Sequence, residues 1–143
     1  TAEVFLAVDH IMNKYCKPRD YSKVPFVVYG SPEIAMIGLT EQQTKQKNIQ
    51  TEVNKFFYAA NGKAVAEDAY KMGFVKTILD ATTHRILGIH IVGDGASDMI
   101  NAAAITLDKN LTKEDFKRII FAHPTLSEVM HESITELHIP NRV

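Results

Sequence analysis

The spacing of apolar and polar residues changes along the chain, and that change predicts the order of strands and helices. Apolar runs rich in β-branched and aromatic residues, bounded by glycine, proline or asparagine, are typical of strands. Such runs occupy residues 25–29, 34–39, 49–58, 74–79 and 86–92. Helical spacing or a capping signal predicts helices near the N-terminus, at 40–47, 63–69 and 96–109, from Thr112, and at 125–137.

Three local patterns refine the strand region. The runs at 74–79 and 86–92 are joined by a short polar connection at 80–85, so they should pair antiparallel at the centre of the sheet. Gly88 interrupts the second run, and its missing side chain suggests that another element approaches closely. Asn61–Gly62 fits a type I′ turn, but the alanine-rich stretch after it favours a short helix.

Two apolar stripes refine the helical region. Thr112 and Asp115 resemble the N-terminal cap of a short helix. Helical spacing predicts that the buried stripe of this helix consists of Phe116, Ile119 and Ile120. In the final helix, the residues predicted to face the core are Leu126, Val129, Met130, Ile134 and Leu137.

The distribution of these elements indicates the fold class. Strands cluster in the first two thirds of the chain and helices in the last third, without regular alternation. This predicts an α+β fold in which a mixed, largely antiparallel sheet is covered by helices. Residues 1–23 have the pattern of a helix and a linker, broken near Pro18, so we expect residues 24–143 to form a separate domain.

Bulk composition narrows the function classes. The 143 residues are 45% hydrophobic and 23% charged, which suits a globular chain with one core. Sixteen basic and seventeen acidic residues leave a net charge of −1, so charge favours neither nucleic acid nor an anionic membrane as a partner. No apolar run approaches the roughly twenty residues of a membrane span. Without a signal-type N-terminus, a cytoplasmic location is the default expectation.

Cysteine and histidine usage limits the chemistry further. Cys16 is the single cysteine, which rules out an internal disulfide or a C-x-x-C redox pair within this chain. Cys16 has no assigned role. His90 fits a hydrogen-bonded structural histidine better than a catalytic one. The six histidines lack a persuasive set of metal-ligand partners, so no metal site is expected.

The segment from Phe121 to Glu128 carries the most specific candidate chemistry. Pro124 disfavours the α region for His123, which places the imidazole on a loop just before the last helix. The Glu128 carboxylate can accept a hydrogen bond from one ring nitrogen and leave the other free to act as a base. Thr125 and Glu128 also have the spacing of a capping box. Both interpretations stay open, and they are compatible because a carboxylate has two oxygens.

The run His-Pro-Thr-Leu-Ser-Glu at residues 123–128 resembles the C-terminal signature of dihydrolipoamide dehydrogenases, within the flavin-dependent pyridine nucleotide-disulfide oxidoreductases. Other segments are similar to the C-terminal interface, or dimerisation, domain of the same family and occur in the same order. These segments lie at residues 24–29, 31–41, 60–64, 73–76 and 86–93. Ordered similarity from about residue 24 to residue 134 therefore points to this interface domain.

The resemblance implies that the chain is a fragment of a larger enzyme. In the family an FAD-binding domain precedes the interface domain. Residues 1–23 would then be the helix and linker from its end, and residues 24–143 the dimerisation domain. The resemblance implies FAD and NAD as cofactors of the full-length enzyme, with none bound to this fragment, which lacks a G-x-G-x-x-G fingerprint. It also implies a homodimer and, as partners of the full enzyme, the lipoyl groups of 2-oxo acid dehydrogenase complexes.

The resemblance also implies roles for individual residues. His123 corresponds to the acid–base histidine that deprotonates a dithiol substrate, whose thiolate attacks a redox disulfide of the other subunit. Glu128 corresponds to the carboxylate that orients this histidine. The backbone of His123 and Pro124 corresponds to the segment that contacts the partner subunit's FAD. Leu126 favours lipoamide as the substrate, because the glutathione branch resembles His-Pro-Thr-Ser-Ser-Glu instead.

Two alternatives remain alongside this hypothesis. One is the interface domain of another disulfide reductase, of the glutathione type. The other is a non-enzymatic dimerisation module, which would not need His123 and Glu128 at this spacing. A longer native reading frame with a G-x-G-x-x-G fingerprint and a paired-cysteine motif upstream would favour the enzyme.

Overall fold

Five strands form one sheet in the computed structural model, which describes residues 2–16, 20–69 and 72–135. Their bounds are β1 Phe26–Val28, β2 Ile34–Gly38, β3 Thr51–Phe57, β4 Phe74–Asp80 and β5 Ile86–Val92. The spatial order is β1-β2-β5-β4-β3, and each neighbouring pair runs antiparallel. The predicted α+β fold with a largely antiparallel sheet is confirmed.

Helices lie before, between and after the strands, close to where the sequence predicts them. In the described part of the chain they are α1 Ala2–Ile11, α2 Glu41–Gln46, α3 Gly62–Ala66, α4 Ala96–Asp108, α5 Lys113–Phe116 and α6 Glu128–Thr135. Within the same residues, none of these helices has both the length and the apolar character that crossing a membrane requires.

The hairpin of β4 and β5 lies at the centre of the sheet, as its polar connection predicts. Val75 pairs with Ile91, and Thr77 pairs with Ile89. A Cβ added at Gly88 would lie 2.1 Å from the carbonyl oxygen of Leu39, so no larger residue fits there. The close approach predicted from this glycine is confirmed.

Helices α4 and α6 cover one face of the sheet. Helix α4 packs on β2 and β5, and α6 packs on β3 and β4. Side chains alternate between the two faces of a strand, and those on the helix side are mainly aliphatic and buried. The core includes Ala35, Ile37, Val75, Ile89, Ile91, Met99, Ile100, Ala103, Leu107, Val129, Met130 and Ile134. Burying one large aliphatic side chain contributes roughly 1.5–3 kcal/mol, so this layer fixes where α6 lies.

One polar contact lies inside this layer. The hydroxyl oxygens of Thr77 on β4 and Ser133 on α6 are 2.6 Å apart, and both side chains are buried. A buried hydroxyl without a hydrogen-bond partner is costly. The pair therefore favours one position of α6 along the sheet over others that would separate the two groups.

The opposite face of the sheet is partly exposed in the described residues. A row of apolar side chains crosses the five strands and consists of Val28, Ile34, Val92, Phe74 and Phe57. The Lys55 ammonium group lies 4.7 Å and 3.8 Å from the ring centroids of Phe57 and Phe74. Exposed apolar residues also occur along and just after α1, at Val4, Phe5, Val8, Ile11 and Met12. Contiguous exposed apolar surface of this kind is typical of an interaction site.

The prediction of a buried stripe after Thr112 is correct for Phe116 but wrong for Ile119 and Ile120. Phe116 is buried, but α5 ends there, and a turn follows in which the Ile119 N–H donates to the Phe116 carbonyl at 3.0 Å. Ile119 and Ile120 are 41% and 96% exposed. These two isoleucines therefore lie on the surface of a loop and not on the buried face of a helix.

The last helix begins later than predicted, at Glu128 and not at Thr125. The Thr125 N–H donates to the Glu128 carboxylate, and the Thr125 hydroxyl donates to the Ala122 carbonyl. The Thr125 hydroxyl is thus engaged with the preceding loop and not with the N-terminus of the helix, which agrees with the later start. The predicted core residue Leu137 lies outside the described residues.

We expect Ser133→Ala to lower the free energy of unfolding by about 1–3 kcal/mol, because it leaves the Thr77 hydroxyl buried without its partner. Adding Thr77→Val removes that unpaired hydroxyl. The double variant should therefore be less destabilised than the sum of the two single variants. Urea denaturation of the wild type, the two single variants and the double variant measures the coupling between the two hydroxyl groups. Additive effects of the two substitutions would contradict that coupling.

Candidate active site

His123 lies on the loop between α5 and α6, as Pro124 predicts. Its Nδ1 atom is 2.8 Å from Oε1 of Glu128, the first residue of α6. The His123 side chain is 80% exposed, while the Glu128 side chain is 23% exposed. The two residues that the sequence predicts as a pair are therefore in direct contact, with the imidazole facing outward.

The Glu128 carboxylate uses its two oxygens for two different partners. Oε1 faces His123, and Oε2 accepts the Thr125 N–H at 2.8 Å. The second contact is the glutamate half of the predicted capping box. The hydroxyl of Thr125 donates instead to the Ala122 carbonyl, also at 2.8 Å. The Glu128 side chain thus contacts His123 and forms the glutamate half of the capping box at the same time.

These contacts determine whether Glu128 is ionised and which ring nitrogen of His123 carries a hydrogen. The Thr125 N–H, followed by the His123 side chain, holds the pKa of Glu128 below its ordinary value. A deprotonated carboxylate only accepts hydrogen bonds, so the ring nitrogen facing it must carry the hydrogen. In neutral His123 this is the Nδ1–H tautomer, which leaves the lone pair of Nε2 available to a reactant.

An aromatic cluster anchors the start of the loop. The ring of Phe121 lies 5.6 Å from that of Phe116 and 5.0 Å from that of His131, which is on α6. Phe116 is buried. Tilted aromatic pairs at these distances are favourable, so they hold the backbone two residues before His123 against the body of the domain.

An open recess of about 320 Å³ lies beside the loop. Its lining includes the exposed residues Ile119 and Ile120 together with Phe121 and Thr125. The surface beside the histidine loop is therefore mainly apolar, with Thr125 and Ser127 as polar members.

The other residues considered from the sequence do not join this site. His90 is on β5, where burial, followed by the charge of Lys76, lowers its pKa. Cys16 follows α1, and its thiol contacts the carbonyl groups of Leu6 and Lys14. Among residues 2–16, 20–69 and 72–135, no group of three or more histidine, cysteine, aspartate or glutamate side chains is arranged to hold a metal ion.

Asn61 is a residue of the site that sequence analysis did not identify. Its side-chain nitrogen donates to the Thr125 carbonyl at 3.1 Å, across a separation of 64 residues in the chain. The sequence predicts a local structure at Asn61 but contains no signal for this distant contact.

The resemblance implies that the backbone of His123 and Pro124 contacts a flavin. Both residues are exposed. The strand pairs in the described ranges are antiparallel, so those ranges contain no pair of parallel strands joined by a helix, the unit that binds dinucleotides.

Residues 24–134 match the family described as "Pyridine nucleotide-disulphide oxidoreductase, dimerisation domain". Among curated relatives, the mitochondrial dihydrolipoyl dehydrogenase of Canis lupus familiaris is 44% identical over 116 residues, or 81% of this chain and 23% of the relative. The Sus scrofa enzyme of the same name is 45% identical over 80% of this chain and 22% of the relative. Leghemoglobin reductase of Glycine max is 44% identical with the same coverage. The chain thus spans less than a quarter of the length of these relatives.

Solved structures show the same fold at lower identity. LpdA from Mycobacterium tuberculosis superposes with a TM-score of 0.82 and 22% identity, covering 90% of this chain and 28% of that one. The HOCl-induced flavoprotein disulfide reductase RclA from Escherichia coli superposes with a TM-score of 0.86 and 24% identity, covering 95% and 31%. The arrangement of sheet and helices is therefore shared with part of each of these two proteins.

We expect Glu128→Gln to reduce the acid dependence of stability. A pKa that is lower in the folded protein than in the unfolded chain contributes stability above the unfolded value, here 4.5. That contribution is lost as the pH falls through the lower folded pKa. Chemical denaturation should therefore show a deficit in the variant at about pH 7 that shrinks toward about pH 3.

The matched control for this experiment is Glu132→Gln, because Glu132 lies on the same helix with an exposed side chain. A deficit in Glu128→Gln that stays constant across the pH range would contradict the assignment of its two hydrogen bonds.

Proposed function

The chain belongs to the family of pyridine nucleotide-disulphide oxidoreductase dimerisation domains, and from that premise we propose that it serves a flavin-dependent dihydrolipoamide dehydrogenase. In this proposal it supplies His123 and Glu128 to the redox disulfide and FAD of a partner subunit, for NAD-linked oxidation of dihydrolipoamide. The supporting observation is the 2.8 Å contact between the Glu128 carboxylate and an imidazole that is 80% exposed. A general base needs both an orienting partner and access to its reactant.

The proposed chemistry begins with a proton transfer to His123. Its Nε2 atom accepts the proton of one substrate thiol, and the resulting thiolate attacks one sulfur of the disulfide. A mixed disulfide forms, and the other sulfur leaves as a thiolate that can take the proton back from the imidazolium. The second substrate thiol is then deprotonated in the same way and closes the substrate disulfide, which leaves the enzyme's cysteine pair reduced.

Glu128 has two tasks in this sequence. By accepting from Nδ1–H it keeps Nε2 as the acceptor atom, and by its negative charge it stabilises the imidazolium that forms. The lowered pKa of Glu128 keeps the carboxylate ionised while the histidine changes charge. Bound FAD and NAD would supply the electron-acceptor chemistry.

The disulfide in this proposal must lie outside the chain, because Cys16 is its single cysteine. An exposed histidine on a surface loop suits such an arrangement, since the reacting sulfur atoms approach from another subunit. The exposed apolar residues on the uncovered face of the sheet and around Ile119 and Ile120 provide surface for a homodimer. The active site would then be complete only in the dimer.

The substrate class rests on the signature and on the relatives. Leu126 follows the His-Pro-Thr run as in lipoamide-specific members of the family, and two of the relatives are dihydrolipoyl dehydrogenases. We therefore propose lipoyl groups of 2-oxo acid dehydrogenase complexes as the partners of the full-length enzyme. The His123–Glu128 contact favours this enzyme over a dimerisation module without catalytic function, which has no use for an exposed oriented base.

In the full-length enzyme, His123→Gln should slow oxidation of the dithiol by about a hundred- to ten-thousand-fold, because the general base is lost. Glu128→Gln should have a smaller effect, because the imidazole survives with poorer orientation. Reduction of the flavin by the nicotinamide should persist in both variants, since that half-reaction deprotonates no thiol.

Stopped-flow measurement of the two half-reactions across pH separates the roles. Unchanged dithiol oxidation in His123→Gln would refute the assigned base. If Glu128 serves only as a cap, Glu128→Gln should leave both the rate and its pH profile nearly intact, because glutamine also fits a capping box.

We also expect the chain to associate as a two-fold homodimer, because exposed apolar side chains form a row across the uncovered face of the sheet. Sedimentation over a range of concentrations measures this association. A monomer whose sedimentation does not depend on concentration would count against it.

A further inference from the structure

Asn61 is held in one orientation at the start of α3. Its side chain is buried, with 6% of the residue exposed, and its Oδ1 atom accepts the Ala64 N–H at 2.8 Å. Because an N–H can only donate, the atom facing Ala64 must be the amide oxygen. The amide nitrogen of Asn61 therefore points the other way, toward Thr125.

The Thr125 backbone is held from both sides. Its carbonyl accepts from Asn61 at 3.1 Å, and its N–H donates to Glu128 Oε2 at 2.8 Å. The remaining oxygen of Glu128 faces His123 Nδ1. A continuous set of hydrogen bonds thus connects α3 to the imidazole through one residue of the loop.

The segment of chain that carries Asn61 is tightly packed. Ala64 is fully buried. Tyr58, just before Asn61, is also fully buried, and its hydroxyl donates to the Asp94 carbonyl at 3.0 Å. By contrast, Ala122, His123 and Pro124 are exposed. Asn61 therefore connects an exposed loop to a part of the domain that cannot easily move.

We propose that Asn61 is a positioning residue for the His123–Glu128 pair. Its amide fixes the Thr125 carbonyl, which keeps the Thr125 N–H directed at one Glu128 oxygen and leaves the other oxygen for the imidazole. The relevance to catalysis rests on the proposed function, whereas the positioning itself is a property of this chain. The competing role is a cap for α3 alone, which the Oδ1 contact would satisfy without Thr125.

Two substitutions separate the roles, because each keeps a cap acceptor and removes the amide donor. Asn61→Asp is close in shape, and Asn61→Ser is uncharged; aspartate and serine are both good N-cap residues. The matched control is Asn54→Ser, since Asn54 is also buried, with 4% of the residue exposed, and donates to Glu52 at 3.1 Å from β3. It tests the loss of a buried asparagine hydrogen bond away from the loop.

The readout is the ¹⁵N shift of each ring nitrogen of His123 in the labelled chain, at a pH where the imidazole is neutral. Wild type should show Nδ1 protonated. In both Asn61 variants we expect the ratio of the Nδ1–H to the Nε2–H tautomer to fall about fivefold to tenfold, the effect of losing one hydrogen bond. Asn54→Ser should leave the ratio unchanged.

A wild-type ratio in Asn61→Ser or Asn61→Asp, with amide spectra showing a folded chain, would overturn the proposal. If one variant does not fold, the ratio in the other decides the outcome. In the full-length enzyme, the Asn61 variants should also slow dithiol oxidation while flavin reduction by the nicotinamide persists. An altered tautomer ratio with dithiol oxidation unaffected in His123→Gln would sustain the positioning role of Asn61 and refute the proposed function instead.

Discussion

The carboxylate of Glu128 is the group on which the candidate site depends, because each of its oxygens serves a different part of the structure. One oxygen accepts the Thr125 N–H where the loop meets α6, and the other orients His123. Hydrogen bonds to an ionised group are roughly twice as strong as neutral ones, and these two also keep the carboxylate ionised. Loop shape and imidazole orientation are therefore set by the same side chain.

The position of Glu128 depends in turn on how α6 packs. Val129 and Met130 directly after it are fully buried against the sheet, and the buried hydroxyl pair of Thr77 and Ser133 selects where the helix lies. Phe121 is held by rings from α5 and α6 on the other side of the loop. The core thus positions the polar site through the first turn of one helix, which lets the histidine stay exposed without losing its orientation.

The surface of the domain is as informative as its core. One face of the sheet is covered by α4 and α6, whereas the other presents an apolar row, and Ile119 and Ile120 are exposed beside the histidine loop. An isolated domain gains nothing by leaving such surface in water. Exposed apolar surface at these places agrees with a family named for dimerisation.

The sequence by itself determined the elements and one chemical pair, because those depend on neighbours in the chain. Strand runs, the helix from Ala96 and the five-residue separation of His123 and Glu128 all follow from local spacing. Tertiary packing decided the rest. It left Ile119 and Ile120 exposed beyond α5 and brought Asn61 to Thr125 across 64 residues. Local periodicity cannot encode such contacts, because they exist only after distant parts of the chain have folded together.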